Sequence, residues 1–155
     1  MAKRSAGLLL YRKVETTAEV LLVHPGGPYW ARRDEGAWSL PKGEVEAGEE
    51  PLEVARREFG EELGSDPPDG GVTALGEVRQ PGGKLVVAWA LQGDFDTDQV
   101  RSNTFTLEWP RGSGRFQEFP EIDRAEWFPL DTARVKLLKG QLPLLDRLIE
   151  RTYDG

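Results

Sequence analysis

Glu58, Glu61 and Glu62 stand at i, i+3 and i+4, a spacing that on a helix gathers three carboxylates within an arc of about 100°. Like charges at that spacing destabilise an isolated helix by about 0.2–0.5 kcal/mol per pair, and no lysine stands among these three to offset the repulsion. A hard divalent cation would offset it. Mg²⁺ is held by one or two carboxylates together with waters and phosphate oxygens, so the same ion would let an acidic protein hold an anionic phosphate. Taken alone, E-x-x-E-E also describes a solvated acidic helix face.

The elements that must position these groups follow from pattern. Pro51 suits a first helical turn and Gly64 the position just past a last one, which predicts a helix over residues 50–63. Leu52, Ala55, Phe59 and Leu63 then share one side. Ahead of it, apolar runs at 5–12 and 19–24 read as a hairpin of two strands. Pro25-Gly26-Gly27-Pro28 breaks the chain, and a loop leads to a short strand at 37–40 that ends at 41–43. Beyond the helix, strands at 72–79 and 84–91 flank a turn at 80–83. Further strands are expected at 104–109 and 125–128, with 110–115 as a connector, and an amphipathic helix at 141–151 closes the chain. Strands, helix, strands, helix in that order predict an α/β fold with a mixed sheet rather than a regular βαβ succession.

Composition narrows the chemistry. Of 155 residues, 38% are hydrophobic and 30% charged, and 27 acidic against 20 basic side chains leave a net charge of −7. A chain of this size buries roughly 70% of the surface it exposes unfolded, so any metal would serve chemistry rather than hold the core together. With no cysteine and a single histidine, His24, thiol nucleophiles, disulfides, iron–sulfur clusters and cysteine- or multi-histidine-ligated metals are excluded. From Gly43 to Ser65 there are eight glutamates against two arginines, so one short segment holds almost the whole acidic excess. That balance argues against stable nucleic-acid or membrane binding through bare electrostatics. No apolar run approaches the roughly 20 residues of a bilayer span, and Met1-Ala2-Lys3-Arg4-Ser5 does not open into a secretory leader. The expectation is one domain over residues 1–155, cytoplasmic, acting as a monomer or homodimer.

Gly43, Glu49, Arg57, Glu58, Phe59, Glu61, Glu62 and Gly64 lie at the spacing G-x5-E-x7-R-E-U-x-E-E-x-G-U, and in this the chain resembles the Nudix hydrolases. Only the last aliphatic position departs, where Ser65 stands. The resemblance implies an α/β/α sandwich and hydrolysis, with Mg²⁺ or Mn²⁺ and a water nucleophile, of a phosphoanhydride bond in a small nucleotide or polyphosphate substrate. It also implies roles. Glu58, Glu61, Glu62 and the Gly43 carbonyl would hold metal, and Arg57 would pair with Glu49 to orient the loop before the helix. Many members supply a further acid six residues ahead of a late-strand Trp. Counting back from Trp127 gives Glu121, as extra ligand or general base, with Glu118 as the second choice. Whether Glu58 or Glu121 takes the proton stays open.

Other residues have two readings. Lys42, in the run Trp38-Ser39-Leu40-Pro41-Lys42-Gly43-Glu44, resembles the entry to the box in dinucleoside polyphosphate hydrolases and would meet an outer phosphate. Arg32 and Arg33 would clamp a polyphosphate, although loop arginines are often merely solvated. Tyr29, Trp30 and Trp38 would stack on a base or serve as core. His24, ending an apolar strand, reads as structural. The family resemblance thus favours a dinucleoside polyphosphate hydrolase, then a nucleoside triphosphate sanitising enzyme, then a catalytically silent nucleotide-binding regulator.

Overall fold

The computed structural model describes residues 3–152; Met1 and Ala2, on which the leader argument partly rests, and the last three residues of the expected domain lie outside them. Its main sheet contains β1 (Arg4–Val14), β2 (Thr17–Pro25), β3 (Lys42–Glu44), β4 (Val72–Arg79), β5 (Leu85–Gln92) and β8 (Ile122–Pro129). The strand order is β4-β5-β1-β2-β8, with β3 pairing to β1 at Ser5–Gly7. The β1–β5 pair is parallel and the other pairings are antiparallel, so the sheet is mixed.

Side chains alternate across this sheet and divide the core in two. Leu8 and Leu10 of β1 face α1 (Pro51–Leu63), whereas Leu9 and Tyr11 face α2 (Leu130–Lys136) and α3 (Leu142–Thr152). The result is an α/β/α sandwich. Helix α1 docks through Val54, Ala55, Phe59 and Leu63, all buried; Leu52 is only half-buried and Val54 takes the place expected for it. Pro51 opens the helix, and Gly64 closes it at φ 81°, its N–H donating to the Gly60 carbonyl at 2.8 Å.

Three elements differ from the sequence expectation. Residues 37–40 form no strand. Ser39 bridges Val23 and Trp38 bridges Leu137, while the sheet continues at Lys42–Glu44. A buried Gln141 holds this stretch instead, accepting from the Leu40 N–H and donating to Ser39 Oγ and Gln80 Oε1. Strand β6 (Thr104–Glu108) does not join the sheet; it pairs with β7 (Phe116–Pro120), which was not expected, as a separate two-stranded arm. Helix α2 was likewise missed, because seven residues following Pro129 carry barely two turns of periodicity. Among the described residues, no helix is long and apolar enough to cross a membrane.

Candidate active site

The loop before α1 and the helix itself are tied by one ion pair. Arg57 donates to Glu49 Oε2 at 2.7 Å, and Glu49 Oε1 accepts from the Glu46 N–H at 2.8 Å. The arginine also stands 3.9 Å from both Glu58 and Glu61, so its charge spans the carboxylate face. Strand β3 brings Gly43 against that face so closely that a Cβ there would lie 2.0–2.3 Å from the Glu58 side chain. Only glycine fits.

Burial shapes the charges. It raises the Glu58 carboxyl above its usual range, and neighbouring Glu61 adds to the rise. Glu62 is more deeply enclosed, and burial, opposed by the Lys42 ammonium and assisted by Glu58 and Glu121, pushes it up to about 8. Its Oε2 is buried with no hydrogen-bond partner. Lys42 is shifted down, again by burial first, with Glu62 opposing. Enclosure therefore drives both members of this pair toward their neutral forms.

A cleft of about 260 Å³ opens beside them, lined by Lys42, Glu62 and Glu121 on its polar side and by Trp30, Leu40 and Leu138 among others on its apolar side. Glu121 is fixed from its backbone. Its N–H donates to the Asn103 carbonyl at 2.8 Å, its carbonyl accepts from the Gly26 N–H at 2.9 Å, and Asn103 N–H reaches back to the Glu61 carbonyl at 3.3 Å. Ser102 Oγ accepts from the Ile122 N–H. Segment 101–103 thus couples the end of α1 to Glu121, a link with no signature in the sequence. Glu118 lies elsewhere, on the exposed arm, accepting from Thr104 Oγ1.

The loop residues are less convergent. The Arg33 guanidinium rests 5.4 Å from the Trp30 ring centre, and Arg32 and Arg33 are exposed and do not line the cleft. Tyr29, 51% exposed, packs edge-on to Trp109 with ring centres 5.3 Å apart. Trp38 is core, its indole N–H donating to Asp34, whose carboxylate also accepts from Lys136. His24 is fully buried, with Nδ1 2.8 Å from Asp123 and Nε2 2.6 Å from the Arg33 carbonyl. It ties the loop after β2 to β8. A roomier cavity of about 400 Å³ lies at the far end of β1, among Tyr11, Leu130, Leu148 and Ile149, away from the carboxylates.

A family model described as the NUDIX domain matches residues 1–148. The chain belongs to the NUDIX family. An 8-oxo-(d)GTP phosphatase of Mycolicibacterium smegmatis is 30% identical over 164 residues, covering 97% of this chain and 42% of that protein. An RNA pyrophosphohydrolase of Halorhodospira halophila is 50% identical over 56 residues, 36% of this chain and 30% of that protein. The Nudix chain therefore spans less than half the length of these curated relatives. A binary complex of the C. elegans Ap4A hydrolase superposes with a TM-score of 0.64 at 22% identity, over 93% of this chain and 94% of that one, a likeness of fold.

Nudix chemistry generally uses a divalent metal, and the donors here suit one. Among the described residues, no three or more acidic and imidazole side chains are already drawn together as a finished metal cage. The fit lies in the unpartnered Glu62 Oε2, the crowded Glu58 and the all-oxygen chemistry of the set. A buried carboxylate oxygen without a partner costs about 1–3 kcal/mol, and a hard cation bound there would remove that cost.

Proposed function

We propose that this chain hydrolyses a phosphoanhydride bond in a nucleotide, with a dinucleoside polyphosphate as the preferred class and Mg²⁺, or Mn²⁺, as the required ion. The observation that carries the reading is Glu62, without a partner on one oxygen, at the wall of a cleft shared with Lys42 and Glu121, with Glu58 pressed against Gly43 one turn before it on α1.

Glu58, Glu61, Glu62, the Gly43 carbonyl and Glu121 would hold the ion. When bound, Mg²⁺ supplies polarisation of the phosphoryl oxygens and neutralisation of charge on the departing phosphate, effects worth several kcal/mol. Lys42 meets a phosphate oxygen at the cleft wall, and the charge of that phosphate stabilises its ammonium. Arg57 and Glu49 hold α1 against its loop so that Glu58 keeps its position. Water attacks phosphorus as the bridging P–O bond breaks. The water's proton passes to Glu121 or Glu58, and the leaving phosphate departs as an anion. Arg32, Arg33 and Tyr29 act farther out, on the distal part of the substrate, with Arg33 free to exchange its Trp30 contact for a phosphate.

A nucleoside triphosphate is the second reading, favoured by the 30% identity to an 8-oxo-(d)GTP phosphatase across 97% of this chain. A panel of diadenosine tetraphosphate, ATP, 8-oxo-dGTP, ADP-ribose and nucleotide sugars, each with Mg²⁺ and with chelator, separates the two. Metal-dependent cleavage with highest kcat/KM on diadenosine tetraphosphate is expected. The reverse ranking establishes the second reading, and tight binding of nucleotides without cleavage would make the chain a silent regulator.

A further inference from the structure

The arm formed by β6 and β7 is built toward the site and finished in a way that the core does not require. Asn103, at its root, is bonded to the Glu61 carbonyl and to the Glu121 N–H. From there Phe105, Leu107 and Trp109 alternate onto one face. That face lies over the loop after β2: the Phe105 ring sits against Gly27, and Trp109 packs edge-on to Tyr29. Trp109 and Arg115 are opposite each other across the arm, the Trp109 N–H donating to the Arg115 carbonyl at 2.8 Å, so Arg115 rises on the same face as the indole. It is exposed, and no ion pair among the described residues involves it.

A two-stranded hairpin is marginal by itself in water, and leaving Tyr29 51% exposed beside a second aromatic, with the unpaired Arg115 on the same face of the arm, gains little for folding. Those three groups are, however, what a nucleotide asks of a protein: π-faces for a base and a cation for a phosphate. At about 3.3 Å per strand residue, Trp109 stands about 16 Å out from Thr104 at the arm's root. Neither Trp109, Tyr29 nor Arg115 lines the cleft that Lys42, Glu62 and Glu121 share, so a base seated on them is joined to the cleft through a chain of phosphates, which suits a nucleoside at the other end of a polyphosphate bridge.

We propose that the β6–β7 arm seats the second nucleoside of a dinucleoside polyphosphate, its base against Trp109 and Tyr29 and its adjoining phosphate on Arg115. Trp109 is then a specificity-determining residue, selecting substrates with a nucleoside at both ends. The inference rests on the dinucleoside polyphosphate reading above.

The test compares kcat/KM for diadenosine tetraphosphate with that for ATP in the wild type, Trp109→Ala, Trp109→Phe and Arg115→Ala, with circular dichroism to verify folding. Loss of one base–aromatic stack corresponds to about a tenfold fall in the ratio. That fall is expected for Trp109→Ala, carried by KM rather than kcat, with Trp109→Phe recovering most of it and Arg115→Ala falling by a smaller factor. Equal losses on both substrates, or no loss, would overturn the proposal and leave the arm a structural appendage. A wild type that cleaves ATP but not diadenosine tetraphosphate would overturn the substrate reading itself, and the arm's role with it.

Discussion

Helix α1 reaches the cleft through Glu62, and the β6–β7 arm ends next to it, one residue before Glu121, yet one is embedded and the other stands in solvent. Phe59, in the middle of α1, is fully buried, whereas Phe116, in the arm, is 67% exposed. The helix carries three carboxylates of the proposed chemistry, Glu58, Glu61 and Glu62, on a frame locked by Val54, Ala55 and Leu63; the arm carries aromatic and cationic groups on a frame with few anchors. Groups that must hold a metal to within a fraction of an ångström need rigid backing. Groups that recognise the far end of a long flexible substrate tolerate a looser one. Division of labour between the proposed reaction centre and the proposed recognition arm would account for both environments.

The sharpest way to break this contrast is to remove the backing. Phe59→Ala deletes a fully enclosed ring, and the cost of such a change is about 3–5 kcal/mol, so urea unfolding should show a large drop in midpoint. Activity should fall with the folded fraction. A loss of less than about 1 kcal/mol would mean that α1 is not the rigid half. Next in size is the chemistry itself. Glu58→Gln keeps the side-chain volume and removes a carboxylate next to Gly43. A drop of about 10²-fold in kcat is expected if the group contributes to holding Mg²⁺ or to proton transfer, with thermal stability equal to or above that of the wild type because a crowded charge is gone. Undiminished turnover would remove Glu58 from both roles.

The same contrast governs what the sequence made legible. In α1, periodicity, Pro51, Gly64 and the carboxylate spacing all describe one local element, and the ends observed at Pro51 and Leu63 fall within a residue of the expected 50–63. Strands β1, β2, β4 and β5 were readable for a like reason, being apolar runs between turn residues. The arm was half read. Alternation in residues 104–109 indicated a strand, but its partner Phe116–Pro120 has three polar or turn-forming residues in five and no buried face, so no period marked it. Residues 37–40 looked like a strand because they are apolar; their backbone is in fact held by Gln141, more than 100 positions away, and by isolated bridges. For the site, the box residues were visible because they are local. Trp109, Asn103 and the fixing of Glu121 depend on contacts between distant segments, which one sequence does not encode in any spacing.

A pH experiment sharpens the contrast further, since Glu62 is enclosed while no arm carboxylate is. Burial raises Glu62 from 4.5 to about 8. Between those values the folded protein keeps a proton that the unfolded chain has released, so the unfolded state binds fewer protons and stability declines as pH rises. The contribution of Glu62 to the Tm of the metal-free protein should therefore fall from about pH 4.5 to 8, the trend that Glu62→Gln isolates. Mg²⁺ must displace that proton, so the Tm increment on adding Mg²⁺ should grow over the same window. Thermal unfolding in chelator and in Mg²⁺ at several pH values checks both, and Glu62→Gln should flatten both trends. A pH-independent increment would show that the ion does not use Glu62.

The smallest effect belongs to the arm's outer side. Phe116 is opposite Glu108 in the β6–β7 pairing, one position out of step with Phe105, Leu107 and Trp109, so its ring projects away from the face that lies over Tyr29. Being mostly in water already, it has little burial to lose; exposed substitutions of this kind change stability by no more than about 0.5 kcal/mol. Phe116→Ser should leave the urea midpoint and the ratio of kcat/KM between diadenosine tetraphosphate and ATP close to wild type, in contrast to Trp109→Ala seven residues earlier on the inner face. Two aromatic residues in one arm would then differ in effect according to the side they occupy, Trp109 half-buried over Tyr29 and Phe116 in water. Should Phe116→Ser lower the ratio as much as Trp109→Ala does, recognition would depend on the arm's overall stiffness rather than on its inner face, and the division between helix and arm would be one of stability alone.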